Sequence, residues 1–162
     1  MTSKNRLFIG IDPGASGAIA VIESDLDILV LEDYPGDESQ LADLFMKKIL
    51  PLRDSHPILV AIEKVSAMPK QGVVSMFKFG TNYGVWKGML ASFRLPFVEV
   101  APRTWQKGVI AKAQDKKPSV AAAGRLFPNA PLFGPKGGAK DGRADALLIA
   151  YYCLRQYTKN ER

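Results

Sequence analysis

RLFIGIDPGASGAIAVIE, residues 6–23, is the stretch on which the reading of the chain turns. Residues 6–12 and 17–23 are short, apolar and rich in β-branched side chains, and the PGAS between them supplies turn residues, so they predict two strands joined tightly. Residues 28–34 (ILVLEDY), set off by SDLD, predict a third strand and hence an antiparallel meander. Working outward, residues 38–53 place Leu41, Leu44, Phe45 and Ile49 at helical spacing, with Pro51 expected to end or distort the helix. Residues 58–63 (ILVAIE) predict a strand buried on both faces that closes on Glu63. A helix over 71–92, a strand over 96–100, a helix or turn near 102–107, a helix near 117–127 and a last helix from about 140 to 157 complete the pattern. Gly and Pro cluster at 128–138, which predicts a mobile loop. The order predicts an α/β fold: a five-stranded mixed sheet, three antiparallel strands followed by two parallel ones, with helices on both faces.

With 162 residues, 47% of them apolar, the chain can form one domain with a real core and is too short for two ordinary ones, so residues 1–162 are read as a single domain. No run approaches the ~18 apolar residues of a membrane span. Met1–Arg6 is polar and meets only a short apolar segment before Asp12, unlike a secretory leader. The lone Cys153 cannot form an internal disulfide, and in LLIAYYCL it is expected in the core. Together these features predict a cytoplasmic protein, with a bacterial, phage or organellar setting left open.

The net charge of +6 is unevenly spread. Residues 1–63 carry 5 Lys/Arg and 11 Asp/Glu, whereas residues 64–162 carry 17 and 5, so the second part is expected to face a polyanion. Acidic residues in the basic part are few, and Asp141 and Asp145 stand four apart at the predicted start of the last helix. Residues at that spacing differ by roughly 40° around the helix axis and project from one face. Asp12 closes the first predicted strand and Glu63 the fourth. If the helix face packs against those strand ends, four carboxylates converge. Such a cluster needs a counter-charge, and an oxygen-only donor set favours a hard divalent cation such as Mg²⁺. Each residue alone has an ordinary alternative: Asp12 as a turn aspartate before Pro-Gly, Glu63 in an ion pair, Asp141 as a helix N-cap, Asp145 as a first-turn acid complementing the helix dipole. The set of four carries the metal reading.

IGIDPGASGAIAV (residues 9–21), VAIEKV (60–65) and KDGRADALLIAYY (140–152), in this order and spacing, resemble the RuvC branch of the ribonuclease H-like nucleases. Between them, PKQGVVSMFKFGTNYGVWKGML, VAPRTWQK and AAAGRLFP resemble the bacterial, phage and organellar Holliday-junction resolvases related to the chloroplast resolvase of plants. The resemblance spans about residues 6–157 and implies a ribonuclease H-like fold. It implies that Asp12, Glu63 and Asp145 are metal-binding carboxylates and Asp141 the fourth site residue, although here the last pair is separated by four residues where the classical pattern has three. It also implies two Mg²⁺ ions about 4 Å apart per site, with Mn²⁺ as a possible substitute, hydrolysing a phosphodiester to a 5′-phosphate and a 3′-hydroxyl. Paired symmetric nicks in a four-way DNA junction then require a homodimer whose two-fold axis matches that of the junction.

Lys70 and Gln71, just after Glu63, are expected to contact DNA, because in the family this region enters the junction. Phosphate contacts are expected from Lys78, Arg103, Lys107, Lys112, Lys116, Lys117, Lys136, Lys140 and Arg143, which would make binding steeply salt-dependent. Gly80, Gly84 and Gly88 form a bare ridge along the helix predicted at 71–92, fit for close packing against this chain's own sheet or against a second copy. Trp105 is expected to anchor its helix to the core or to stack on a base. His56 reads as a loop residue.

Three other functions share some of these features. IDPGASGAIAV also resembles the first phosphate loop of the sugar kinase and actin superfamily, but that fold needs a second phosphate loop and a second lobe. With no G-x-x-x-x-G-K-[ST] motif either, no nucleotide cofactor is expected. A non-catalytic junction-binding scaffold would be expected to have lost a carboxylate, and all four are present. A nuclease acting on RNA–DNA hybrids or other branched DNA would need the same carboxylates, which do not discriminate among these substrates.

Overall fold

The computed structural model describes residues 5–110 and 115–161. Five strands, β1 (Leu7–Asp12), β2 (Ala18–Ile22), β3 (Ile28–Asp33), β4 (Ile58–Glu63) and β5 (Phe97–Val100), form one sheet in the order β3-β2-β1-β4-β5. β1 pairs antiparallel with β2 and parallel with β4; β2–β3 is antiparallel and β4–β5 parallel. This is the mixed sheet expected from the sequence.

Strand alternation divides the core in two. Leu7, Ile9 and Ile11 of β1 point to one face, where Leu41, Phe45, Ile49, Trp86 and Leu90 pack on them. These come from α1 (Glu38–Leu44), the π turn Phe45–Ile49 and α3 (Val73–Ser92). The π turn leads into α2 (Leu50–Ser55), which carries Pro51 in its first turn. The Leu50 N–H reaches Phe45 O, five residues back. A proline ring collides with the carbonyl four residues before it, and widening the helix just upstream relieves that clash. Pro51 therefore distorts the helix without ending it.

Phe8 of β1, Ala18, Ala20 and Ile22 of β2, and Ala61 of β4 belong to the other core, with α5 (Pro118–Leu126) and α6 (Asp141–Asn160). Gly10, Ala18, Ala20 and Ala61 keep this side of the sheet low, and α6 lies almost on its backbone. A Cβ on Gly10 would stand 2.1 Å from Ala146 O and 2.3 Å from Ala150 N; one on Gly142 would stand 2.0 Å from Ser16 O. Glycine is the only residue that permits these approaches. They fix the start of α6 against the β1–β2 turn.

The loop predicted to be mobile is closed by hydrogen bonds. Phe133 and Ala139 form an isolated β-bridge, Gly134 N donates to Gly138 O (2.8 Å) and Lys140 N to Leu132 O (2.8 Å). Cys153 is buried, as expected, and apolar burial pushes its thiol up to about 12. No helix among the described residues is long and apolar enough to cross a membrane.

Candidate active site

β1 and β4 run parallel and in register through Ile11↔Ile62, so Asp12 and Glu63, the next residue on each strand, end side by side. Alternation from Phe8 and Gly10 turns Asp12 toward α6, and alternation from Ala61 turns Glu63 the same way. The close seating of α6 on Gly10 and Ser16 brings its first two turns to the same place. Asp12, Glu63, Asp141 and Asp145 line one cleft of about 780 Å³, together with Asp33 and Lys140.

Two of the three deeper carboxylates are held by a donor from this chain. Asp12 Oδ1 accepts the Gly14 N–H (3.0 Å), so the turn aspartate and the site residue are one and the same. Glu63 Oε2 accepts the indole N–H of Trp105 (2.7 Å) rather than pairing with a cation. Asp145 has the Ser119 side chain beside it, and its Oδ1 is buried without a partner. Burial dominates their acidities. It raises Asp12 above its ordinary value against the Gly14 hydrogen bond. Burial also raises Glu63, opposed by Trp105 and reinforced by the Asp12 charge. Asp145 is pushed up to about 7, by burial first and then by Asp12, Glu63 and Asp141, with Ser119 opposing.

Asp141 differs from these three. It is the first residue of α6, with Lys140 in the cap position, so the N-cap alternative does not hold. Its exposed carboxylate pairs with Lys117 Nζ at 2.8 Å.

A buried carboxylate oxygen without a partner is costly, and three mutually destabilising acids beside it compound the cost. The set offers hard oxygen donors only, which fits a divalent cation of the Mg²⁺ type. The tightest acidic trio among the described residues is elsewhere: Glu23, Asp25 and Asp27 in the β2–β3 hairpin, whose ligand atoms lie within 4.8 Å of one another. The hairpin trio contains two exposed members, whereas the cleft acids are drawn together by the sheet and α6.

The basic residues fall into two groups. Lys140 and Arg143 both pair with Asp33, at 3.2 and 2.7 Å, and Arg143 also donates to Pro131 O (2.9 Å). The Arg143 hydrogen bond is the main reason that the Asp33 carboxyl is held below its usual range. With Lys117 engaged by Asp141, these three already have anionic partners. Lys70, Gln71, Lys78, Arg103, Lys107, Lys116 and Lys136 are exposed, and the cations among them form no ion pair among the described residues. Lys112 lies outside the described residues.

Two sequence-level alternatives are decided. Trp105 is fully buried on α4 (Pro102–Gln106), so it is not available to stack on a base. A Cβ on Gly80, Gly84 or Gly88 would meet nothing within 4 Å, so the glycine ridge does not pack against this chain's own sheet. Sequence reasoning missed three contacts: Trp105 with Glu63, Ser119 with Asp145, and the Asp33 clamp on Lys140 and Arg143. The need of a buried indole N–H for an acceptor was the one available signal, and it does not name the acceptor.

Three antiparallel strands followed by two parallel ones, with an acidic cleft where β1 and β4 end, define a ribonuclease H-like fold. The chain shares that fold with solved RuvC-type structures. It is similar to RuvC of Thermus thermophilus in complex with Holliday junction substrate, with a TM-score of 0.66 and 15% identity over 96% of each chain. A second Thermus thermophilus RuvC structure gives 0.63 and 16%, covering 94% of this chain and 96% of that one. The yeast mitochondrial Holliday junction resolvase Ydc2 gives 0.54 and 15%, covering 94% of this chain and 79% of that one. No family model and no curated protein sequence matches the chain.

Proposed function

We infer that this protein is a divalent-metal-dependent endonuclease that resolves four-way DNA junctions by paired nicks. The observation that carries the reading is the convergence of Asp12, Glu63, Asp141 and Asp145 in one cleft, with a buried Asp145 oxygen that no protein donor satisfies. The likeness to a RuvC structure that holds a Holliday junction supports the choice of substrate.

Asp12, Glu63 and Asp145 would hold the metal, and Asp141 at the rim would assist after release from Lys117. Two divalent cations held by these residues would supply Lewis acidity toward a phosphodiester and activate water as a nucleophile at neutral pH. The chain's own part is to hold the oxygens in place. Gly14 and Trp105 each fix one carboxylate, and the exposed lysines and arginines steer and grip the phosphate backbone. The expected products carry a 5′-phosphate and a 3′-hydroxyl.

Two symmetric nicks require two sites, and α3 offers the surface for a homodimer. Val73, Phe77, Gly80, Gly84 and Gly88 share one helix face, with Val73 84% and Phe77 76% exposed. Exposed large apolar side chains continuous with a glycine ridge fit a second copy approaching closely.

Purified protein incubated with a synthetic four-way junction, a matched linear duplex and an RNA–DNA hybrid, with Mg²⁺ or with chelator, tests the reading. Metal-dependent symmetric nicks in the junction alone are expected. Cleavage of the hybrid alone would replace the substrate assignment, and junction binding without any cleavage would make the protein a scaffold.

A further inference from the structure

The chain has two fully buried tryptophans, and their indole N–H groups are treated differently. Trp86, packed between Tyr34 and Phe45 on the α3 side of the sheet, has no partner for its Nε1. Trp105 donates its Nε1 proton to Glu63 Oε2 at 2.7 Å across 42 residues of sequence. This fold therefore tolerates a buried indole without an acceptor, and packing alone does not account for where the Trp105 ring points.

The local structure aims that ring. Glu63 stands opposite Val100 in the β4–β5 register, and Lys64 N donates to Val100 O (2.8 Å). The chain then turns at Ala101, whose carbonyl accepts from Thr104 N (2.9 Å) and Trp105 N (3.3 Å), while Pro102 presets the first turn of α4. The indole is thereby folded back beneath the end of β4. Its N–H occupies one carboxylate oxygen and leaves Glu63 Oε1 without a hydrogen-bond partner among the described residues. A carboxylate with one oxygen pinned has lost most of its rotational freedom, so less ordering remains to be done when a cation binds. The arrangement parallels the Gly14 N–H on Asp12, but here the donor is a side chain, and it is wholly enclosed.

We propose that Trp105 is a positioning residue for the metal centre, orienting Glu63 through its indole N–H so that the free carboxylate oxygen is preset for a divalent cation. This rests on the endonuclease reading given above. Trp105 acts through Glu63 and touches neither substrate nor the reacting atoms.

The test replaces Trp105 in the full chain with benzothienylalanine, which keeps the ring shape and puts sulfur where the N–H stood; Trp105→Phe serves as the genetically encoded companion. Binding of Mn²⁺ alone is followed by electron paramagnetic resonance, beside wild type and Glu63→Gln. The benzothienylalanine protein should keep a native near-ultraviolet circular dichroism spectrum and cooperative unfolding, yet bind Mn²⁺ about tenfold more weakly. In junction cleavage, the metal concentration for half-maximal rate should shift by the same factor, with most of the rate recovered at saturating metal. Combining Trp105→Phe with Glu63→Gln should weaken Mn²⁺ binding no further than Glu63→Gln alone. Wild-type Mn²⁺ affinity in the benzothienylalanine protein, with Glu63→Gln weakened, would overturn the role of Trp105 and leave the metal site standing. Wild-type affinity in Glu63→Gln would overturn the metal site and the role of Trp105 together.

Discussion

α3 and α6 are both 20 residues long and lie on opposite faces of the same sheet, yet nine residues of α6 are buried and only two of α3. α6 is seated where Gly10, Gly142 and a floor of alanines let backbone meet backbone, and it carries Asp141 and Asp145 at its start. α3 is held by Trp86 and Leu90 near its end, and by the Tyr83 and Lys87 contacts with Glu99, while Val73, Val74 and Phe77 stand in solvent. Glycine thus does opposite things on the two faces. On the α6 side it permits an approach already made within the chain, and on α3 it leaves open one that the chain does not make. A helix that places a carboxylate needs an enclosed seat; the free face of α3 is the one proposed above to meet a second copy.

The most damaging way to probe this contrast is Gly10→Val. Its side chain would collide with the backbone of Ala146 and Ala150, atoms that cannot give way without lifting α6. A loss of about 3 kcal/mol or more is expected by urea denaturation, with nuclease activity lost as well.

Asp145→Asn comes next. Because the folded-state value near 7 lies above the ordinary 3.8, the folded chain holds this proton more tightly than the unfolded chain does. The stability that Asp145 contributes to the metal-free protein is therefore complete below about pH 4 and lost as pH rises through about 7. Asparagine removes that loss, so the metal-free variant should gain about 2 kcal/mol at pH 8 and show a flatter stability profile between pH 4 and 8, while cleavage disappears. A wild-type profile with no fall over this window would mean that the Asp145 carboxyl is not strained by its surroundings.

On α3, Phe77→Asp should change monomer stability by no more than about 0.5 kcal/mol, since the side chain is exposed, but should shift the protein toward monomer in sedimentation velocity. Unchanged self-association would remove this face from the proposed dimer. Gly84→Ala should act on monomer stability alone, since nothing stands within 4 Å of the new Cβ. Helix propensity alone should stabilise the monomer by about 1 kcal/mol in denaturant at low protein concentration.

The strands and their order were legible because local patterns carry them: apolar runs of strand length, turn residues between them, and acids at strand ends. Asp12 and Glu63 could be placed together because parallel pairing brings equivalent strand ends into line, and Asp145 because helical spacing set it beside Asp141. The π turn before Pro51 was only half visible, since a proline announces a distortion without saying whether the helix breaks or widens. Contacts between remote segments were not legible. Asp33 and Arg143 lie 110 residues apart, Glu63 and Trp105 lie 42 apart, and no local periodicity pairs them. The glycine ridge was expected to pack against this chain's own sheet or against a second copy; within the chain nothing stands within 4 Å of it, and sequence spacing does not encode which way a helix face turns.

Anomalous diffraction from crystals grown with Mn²⁺ tests the metal centre most directly, because it locates the ion without reference to activity. Peaks coordinated by Asp12, Glu63 and Asp145 are expected. Ordered Mn²⁺ only at the Glu23, Asp25 and Asp27 hairpin, with the cleft between β1, β4 and α6 empty, would contradict the assignment.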